Sequence, residues 1–157
     1  MKTSMARVEN PASVLPYLKE QSVQRFEYKD SERIFELICH FPKKVRGGDP
    51  IFFLGRFGGV ERFRRLEGDL AAFKDFTTSY QAGPGIRPIV IQSLTYPHAD
   101  EIEFWFGANF GGVAFAFTSL EAFTRESSVK EVGRDFIYSD SVSGVEFDFY
   151  HPFDGLG

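Results

Sequence analysis

The residues with the clearest potential for chemistry are a histidine and two nearby carboxylates, His98, Asp100 and Glu101. A carboxylate beside a histidine can raise the basicity of the imidazole, as in many general bases. The surrounding sequence, Tyr-Pro-His-Ala-Asp, is typical of a turn, however, and His40 and His151 lie at no metal-binding spacing from it. The sequence therefore predicts no catalytic residue and no metal site.

Two glycine-rich segments resemble each other but match no known phosphate-binding pattern. Residues 53–60 read Phe-Leu-Gly-Arg-Phe-Gly-Gly-Val, and residues 106–113 read Phe-Gly-Ala-Asn-Phe-Gly-Gly-Val. Neither fits a Walker loop or a dinucleotide fingerprint. Because a Gly-Gly pair adopts positive φ without steric cost, we predict a hairpin turn at each and interpret the pair as a partial duplication. No cofactor is predicted.

Charge is distributed unevenly along the chain. Residues 99–157 contain eleven acidic and three basic side chains, a net charge of −8. The whole chain carries −4, which leaves +4 for residues 1–98. A surface polarised in this way attracts a basic partner and repels nucleic acid.

Acidic and aromatic side chains share one face of two predicted strands, residues 101–106 and 145–150, in which they alternate with apolar residues. Aromatic residues are often the energetic centres of interfaces, and charges steer association. We therefore predict that these faces and two further acids bind a basic protein, with an ordinary solvated sheet face as the alternative. The predicted partner-binding residues are Glu101, Glu103, Trp105, Asp135, Asp140, Glu146, Asp148 and Tyr150.

The elements that position these residues are mostly strands. Alternating apolar and polar residues between turn-forming segments predict antiparallel hairpins. The apolar segment 88–96 is predicted to be a central strand. The four predicted hairpins span residues 23–41, 51–66, 101–118 and 136–150.

Three short helices are predicted over residues 11–21, 69–80 and 118–127. The last begins with Thr118-Ser-Leu-Glu121, which resembles a capping box. The fold class is therefore α+β: mostly antiparallel, hairpin-built sheet with two or three short helices packed on it. We predict a single domain over residues 1–157, of which residues 1–10 form a flexible lead-in.

The composition predicts an aromatic core in a soluble cytoplasmic protein. The chain contains nineteen phenylalanines and one cysteine, Cys39, so an internal disulfide is excluded and a buried thiol is expected. No signal-peptide h-region and no long apolar run is present. The side chains predicted to face inward are Ile102, Phe104, Phe106, Val113, Phe115 and Phe117.

Several segments resemble small bacterial immunity proteins of polymorphic-toxin and contact-dependent-inhibition systems. They are the hairpin from Phe26-Glu-Tyr-Lys-Asp to Phe35-Glu-Leu-Ile-Cys-His-Phe-Pro, the Gly-Gly-Val strand and the ending Asp148-Phe-Tyr-His-Pro-Phe153. The resemblance covers residues 20–153 and implies a protein that sequesters a toxin domain, often a nuclease, beneath an acidic surface. The alternative is a small-ligand-binding or enzymatic domain with a Phe-lined pocket near His98 or the Gly-Gly turns.

Overall fold

The computed structural model describes residues 2–41, 50–68, 78–86, 88–98, 100–107 and 110–156, and every structural statement below concerns these residues. Two 3-10 helices cover Pro11–Leu18 and Asp30–Glu32. The strands are β1 (Ala6–Arg7), β2 (Ser22–Lys29), β3 (Ile34–Phe41), β4 (Ile51–Gly58), β5 (Glu61–Glu67), β6 (Ser79–Gln81), β7 (Ile89–Val90), β8 (Ser93–His98), β9 (Glu101–Trp105), β10 (Gly111–Ala116), β11 (Ser119–Val132), β12 (Asp135–Asp140) and β13 (Glu146–Phe147).

The strands form two antiparallel sheets. The large sheet has the order β13-β12-β11-β4-β3-β2-β6, with β1 on β11 and β7 on β2. The small sheet has the order β5-β10-β9-β8. The prediction of mostly antiparallel sheet in an α+β fold is confirmed at this level.

An aromatic core joins the two sheets. Because side chains of a strand alternate between its faces, the strands that line this core contribute alternate residues to it, such as Phe35 and Leu37 of β3. Phe35 of the large sheet lies 4.8 Å from Phe115 of the small sheet between ring centroids, and Phe57 lies 5.3 Å from Phe115. The predicted inward-facing residues of β9 and β10 are buried, and Phe117 packs against the core while partly buried.

The large sheet also buries part of its other face. A second cluster, called here the C-terminal cluster, packs Phe147, Phe149 and Phe153 against Ile38 and Phe52. Strand β3 therefore lies between two apolar layers, as its uninterrupted run of buried residues from Phe35 to His40 shows. Both layers depend on the predicted hairpin 23–41, which is confirmed by the antiparallel pairing of β2 with β3.

Two helix predictions need correction. Residues 119–127 belong to strand β11, because residues 119–126 pair with β4 along its full length and place Ala122 and Phe123 in different apolar clusters. The end of the predicted helix 69–80 is also wrong, since Ser79–Gln81 is strand β6; residues 69–77 lie outside the described part. The N-terminal helix is present as the 3-10 helix Pro11–Leu18.

The two Gly-Gly segments differ in structure, so the duplication interpretation is wrong. Gly59 has the predicted positive φ of 63°, but it leads the chain from β4 in the large sheet to β5 in the small sheet. The second Gly-Gly pair, Gly111-Gly112, follows the turn of the β9–β10 hairpin and begins β10, and Gly111 has φ 82°. A Cβ on Gly111 would lie 1.9 Å from the Leu66 carbonyl oxygen, so close packing against β5 also requires glycine there.

The segment 88–96 is not one central strand. Its first part, β7, pairs with β2 in the large sheet, and its second part, β8, is the edge strand of the small sheet. Ile91, between them, accepts a hydrogen bond from Glu20 and donates one to Gln21, and the next amide, Gln92 N–H, donates to Trp105. The chain thus passes from one layer to the other within two residues.

The first residues, predicted to form a flexible lead-in, make specific contacts with the large sheet. Strand β1 pairs with Thr124 and Phe123 of β11, and Ser4 N–H donates to the Asp140 carboxylate at 3.0 Å. These contacts attach the first residues to the large sheet.

The aromatic core predicts a large cost for truncating Phe104, which is fully buried. Phe104→Ala should lower the free energy of unfolding by about 3–5 kcal/mol through lost burial and the cavity left behind. The matched control is Phe136→Ala, because Phe136 is 59% exposed and its loss should cost less than about 0.5 kcal/mol. Urea unfolding of both variants measures the difference, and similar losses would contradict the core assignment.

Candidate functional site

The structure separates the predicted partner-binding residues into two groups. Glu101, Glu103 and Trp105 lie on β9 of the small sheet, whereas the other five lie on or after β12 in the large sheet. Because Ile102 and Phe104 face the core between the sheets, their neighbours on β9 face away from it. The predicted residues are therefore divided between the outer face of the small sheet and the large sheet, and no single sheet face carries all of them.

Glu101 is wrongly predicted as an exposed binding residue. Its side chain is only 4% exposed and forms an ion pair with Arg64 at 2.5 Å. The pairing of the strands explains the burial of Glu101. Strand β10 lies between β5 and β9, and on the face that carries Glu101 it presents the small residues Ala114 and Ala116. Long side chains of β5 can therefore reach across β10. The Arg64 guanidinium holds the pKa of the Glu101 carboxyl below its ordinary value.

The remaining predicted residues of β9 belong to the same neutralised face. Glu103 is half-buried and shares a row with Ala114 and Arg64 in the sheet register. Trp105 is half-buried and stands opposite Gly112, across from Leu66 of β5. This face holds its acids beside its own arginines.

Asp140 is also a structural residue rather than an exposed one. Its carboxylate accepts hydrogen bonds from Arg125 Nε at 2.9 Å, from the amides of Val142 and Ser143 at 2.9 Å, and from Ser4. Burial alone would raise the pKa of Asp140, but these donors hold it well below its ordinary range. The following Ser-Val-Ser-Gly is typical of an Asp-initiated turn, a signal that could have indicated this role.

The segment after β13 is fastened across the large sheet by residues that the sequence did not single out. Arg125 donates to the Pro152 carbonyl and lies 4.0 Å from the centre of the Phe147 ring, besides pairing with Asp140. Gln24 donates to the Phe149 carbonyl, and Gln81 donates to the Tyr150 carbonyl at 3.1 Å. These contacts fix where the chain runs after β13.

An open groove of about 470 Å³ lies where this segment leaves β12. It is lined by residues 136–138 on one side and residues 146–150 on the other. Phe136 at its margin is 59% exposed, and Tyr150 is half-buried. Of the predicted residues, Glu146, Asp148 and Tyr150 line this groove, and Asp135 is adjacent to it in sequence.

The acids of the groove differ from the other acids of the predicted set. Asp135, Glu146 and Asp148 are exposed, and none forms an ion pair within the described part of the chain. Glu101 and Asp140, in contrast, are buried against arginines. The charges of the groove are therefore available to a cation from outside the protein.

The alternative site, predicted near His98 or the Gly-Gly turns, has few of the side chains that catalysis would need. His98 is exposed at the edge strand β8, and its neighbours Asp100 and Glu101 are paired with Arg62 and Arg64. A groove of about 340 Å³ does lie beside the second Gly-Gly segment, with Phe106 and Phe110 in its wall, but no titratable side chain of the described residues lines it.

Two further observations concern reactive groups and membrane spans. Burial raises the pKa of the Cys39 thiol, and no three His, Cys, Asp or Glu side chains of the described residues are arranged to hold a metal ion. Among the described residues, no helix has the length and apolar character needed to cross a membrane.

Comparison with protein-family models, with curated proteins and with solved structures returns no match. The function must therefore be argued from the residues of this chain.

His40 predicts a pH-dependent stability. It is buried beneath the C-terminal segment, with its ring centre 4.9 Å from that of Phe52 and 4.8 Å from that of Phe149. Its Nε2 has no hydrogen-bond partner among the described residues, and burial lowers its pKa to about 4. The unfolded chain binds a proton near pH 6.5, so the folded state should lose about 2 kcal/mol between pH 7 and pH 5.

Chemical denaturation at several pH values measures this loss, and His40→Phe is the test variant because it removes the titrating group and keeps an aromatic ring. The loss between pH 7 and pH 5 should shrink strongly in that variant. An unchanged pH dependence would show that another group is responsible.

The Arg125–Asp140 pair predicts a second stability effect. Arg125→Met leaves the buried Asp140 carboxylate without its cation and removes the hydrogen bond to Pro152, so unfolding should become easier by about 3 kcal/mol. Arg134→Met is the matched control, because Arg134 lies exposed in a turn and should change stability by less than about 0.5 kcal/mol. Equal effects in urea unfolding would contradict a structural role for Arg125.

Proposed function

We propose that this chain is a protein-binding module, and specifically an immunity protein that neutralises a cognate toxin domain. The observation that supports the proposal is the groove beside β12, where the exposed ring of Phe136 lies near acids that form no ion pair within the described part of the chain. Each half of that combination has a separate physical consequence for binding.

The apolar half supplies binding free energy. Five of the nine exposed large apolar side chains among the described residues lie on the β11–β12 hairpin and the turn that follows it; they are Val129, Val132, Phe136, Val142 and Val145, at 41–60% exposure. Apolar groups that remain at a surface in one region commonly mark an interaction site. Covering Phe136 by a partner would remove its ring from water.

The acidic half selects the partner. Asp135, Glu146 and Asp148 would attract a basic surface and accelerate its association. A nuclease cleft is basic because it binds phosphates, so an acidic protein that covers it competes directly with the nucleic acid. A nuclease toxin is therefore the partner class that this surface suits best.

Small-ligand binding is the second candidate, and the groove lined by Phe106 and Phe110 favours it. Because the described lining of that groove contains no titratable side chain, it suits binding of an apolar molecule rather than catalysis.

The proposed function is tested by purifying the tagged chain from its native host and identifying what is bound. We expect a basic protein whose expression alone arrests growth and whose effect disappears when this chain is co-expressed. A protein partner that does not impair growth would contradict the immunity role. A bound small molecule without any protein would favour the second candidate.

Variants locate the interface on the protein. Glu146→Lys should weaken binding of the partner by about tenfold and reduce the salt dependence of association. The control, Glu103→Lys, places the same charge reversal on the small sheet, outside the groove, and should change binding less than about twofold. A larger effect of Glu103→Lys would move the interface to the small sheet.

A further inference from the structure

We propose that the groove binds an extended, arginine- or lysine-containing segment of the partner, which joins the large sheet as a strand on the free edge of β12. This proposal rests on the proposed function and specifies its binding mode. Four features of the β12 edge carry it.

The first feature is the incomplete pairing of β12. All six of its residues pair with β11, but β13 pairs only with Tyr138 and Ser139. Residues 135–137 therefore have a strand on one side only, within the described part of the chain. The backbone groups that point away from β11 there can bond to an added strand.

The second feature is the absence of the usual protection of such an edge. Natural edge strands are commonly blocked by lysine, proline, a bulge or a covering segment. The free residues 135–137 read Asp-Phe-Ile and pair with β11 without a register shift. Phe136 is 59% exposed beside this edge. Nothing in these residues prevents a further strand from pairing.

The third feature is the path of the chain after β13. It explains why β13 does not extend along residues 135–137 of β12. After Phe147 the backbone turns away, with Tyr150 N–H bonded to the Asp148 side chain at 2.9 Å. Gln24 and Gln81 then donate hydrogen bonds to the carbonyls of Phe149 and Tyr150, which directs this part of the chain away from the edge of β12. The place that a longer β13 would occupy is the groove of about 470 Å³.

The fourth feature is the pattern of side chains around the groove, which determines the sequence of the occupant. Glu146 stands opposite Ser139 and thus shares a sheet face with Asp135, whereas Phe147 stands opposite Tyr138 and shares a face with Phe136. An added strand would meet acids on one face and aromatic rings on the other. A segment that alternates cationic and apolar residues matches both faces.

The test uses a synthetic probe, fluorescein-labelled Arg-Val-Arg-Val-Arg-Val, whose binding is followed by fluorescence anisotropy. We expect it to bind at least about tenfold more tightly than the same peptide with Glu in place of Arg. Methylating alternate backbone nitrogens should weaken it by about tenfold, because strand addition depends on main-chain hydrogen bonds. Amide exchange of residues 135–137 should slow in the presence of the probe.

Variants of the protein complete the test. Phe136→Ala and Glu146→Lys should each weaken the probe by about fivefold or more, and Glu103→Lys should have less than about a twofold effect. Both groove positions are exposed, so unchanged thermal unfolding of the variants would show that the loss is local.

Three outcomes would overturn the proposal: no binding of the probe, binding that is indifferent to charge or to backbone methylation, or equal effects at Glu103 and Glu146. Failure here is distinguishable from failure of the proposed function. A native protein partner retained by both groove variants would preserve the function and reject the strand-addition mode. Specific probe binding without any native protein partner would support the mode and reject the function.

Discussion

The Arg125 guanidinium is the point on which the C-terminal half of the structure depends. It contacts the Asp140 carboxylate, the Pro152 carbonyl and the Phe147 ring, which belong to three separate stretches of chain. A buried cation is costly unless its donors are satisfied, and here each contact satisfies part of that requirement. Asp140 extends the link to Ser4, so the N-terminal residues are fixed by the same pair.

The fixed path of the C-terminal segment creates the groove beside β12. Because residues 147–153 pack over β3 and β4, they cannot also pair along the whole of β12. The C-terminal segment thus covers the apolar outer face of the large sheet, which stabilises the fold. In doing so it leaves part of the edge of β12 uncovered. The surface that we propose for binding follows from the way the protein buries its second apolar cluster.

Local sequence patterns predict which side chains of a strand face inward, because this depends on the alternation of residues along the strand. They do not predict which strands pair, because pairing joins residues that are distant in sequence. The inward faces of β3, β9 and β10 follow directly from a period of two. The segment 118–127 carries a helical start signal, yet pairing with β4 makes it a strand. Glu101 reads as exposed because neither Arg64 nor Ala116, which bury it, is near it in sequence. The groove acids could be predicted because their exposure depends on no distant partner.

The crossing at Ile91 and Gln92 has a mechanical consequence. Strands β7 and β8 lie in different sheets and are separated by only these two residues, of which Ile91 is fully buried. Tension applied to one layer is therefore transmitted to the other through the covalent backbone rather than through side-chain packing alone. Sliding of one layer past the other would strain the hydrogen bonds that Ile91 forms with residues 20 and 21 and that Gln92 forms with Trp105.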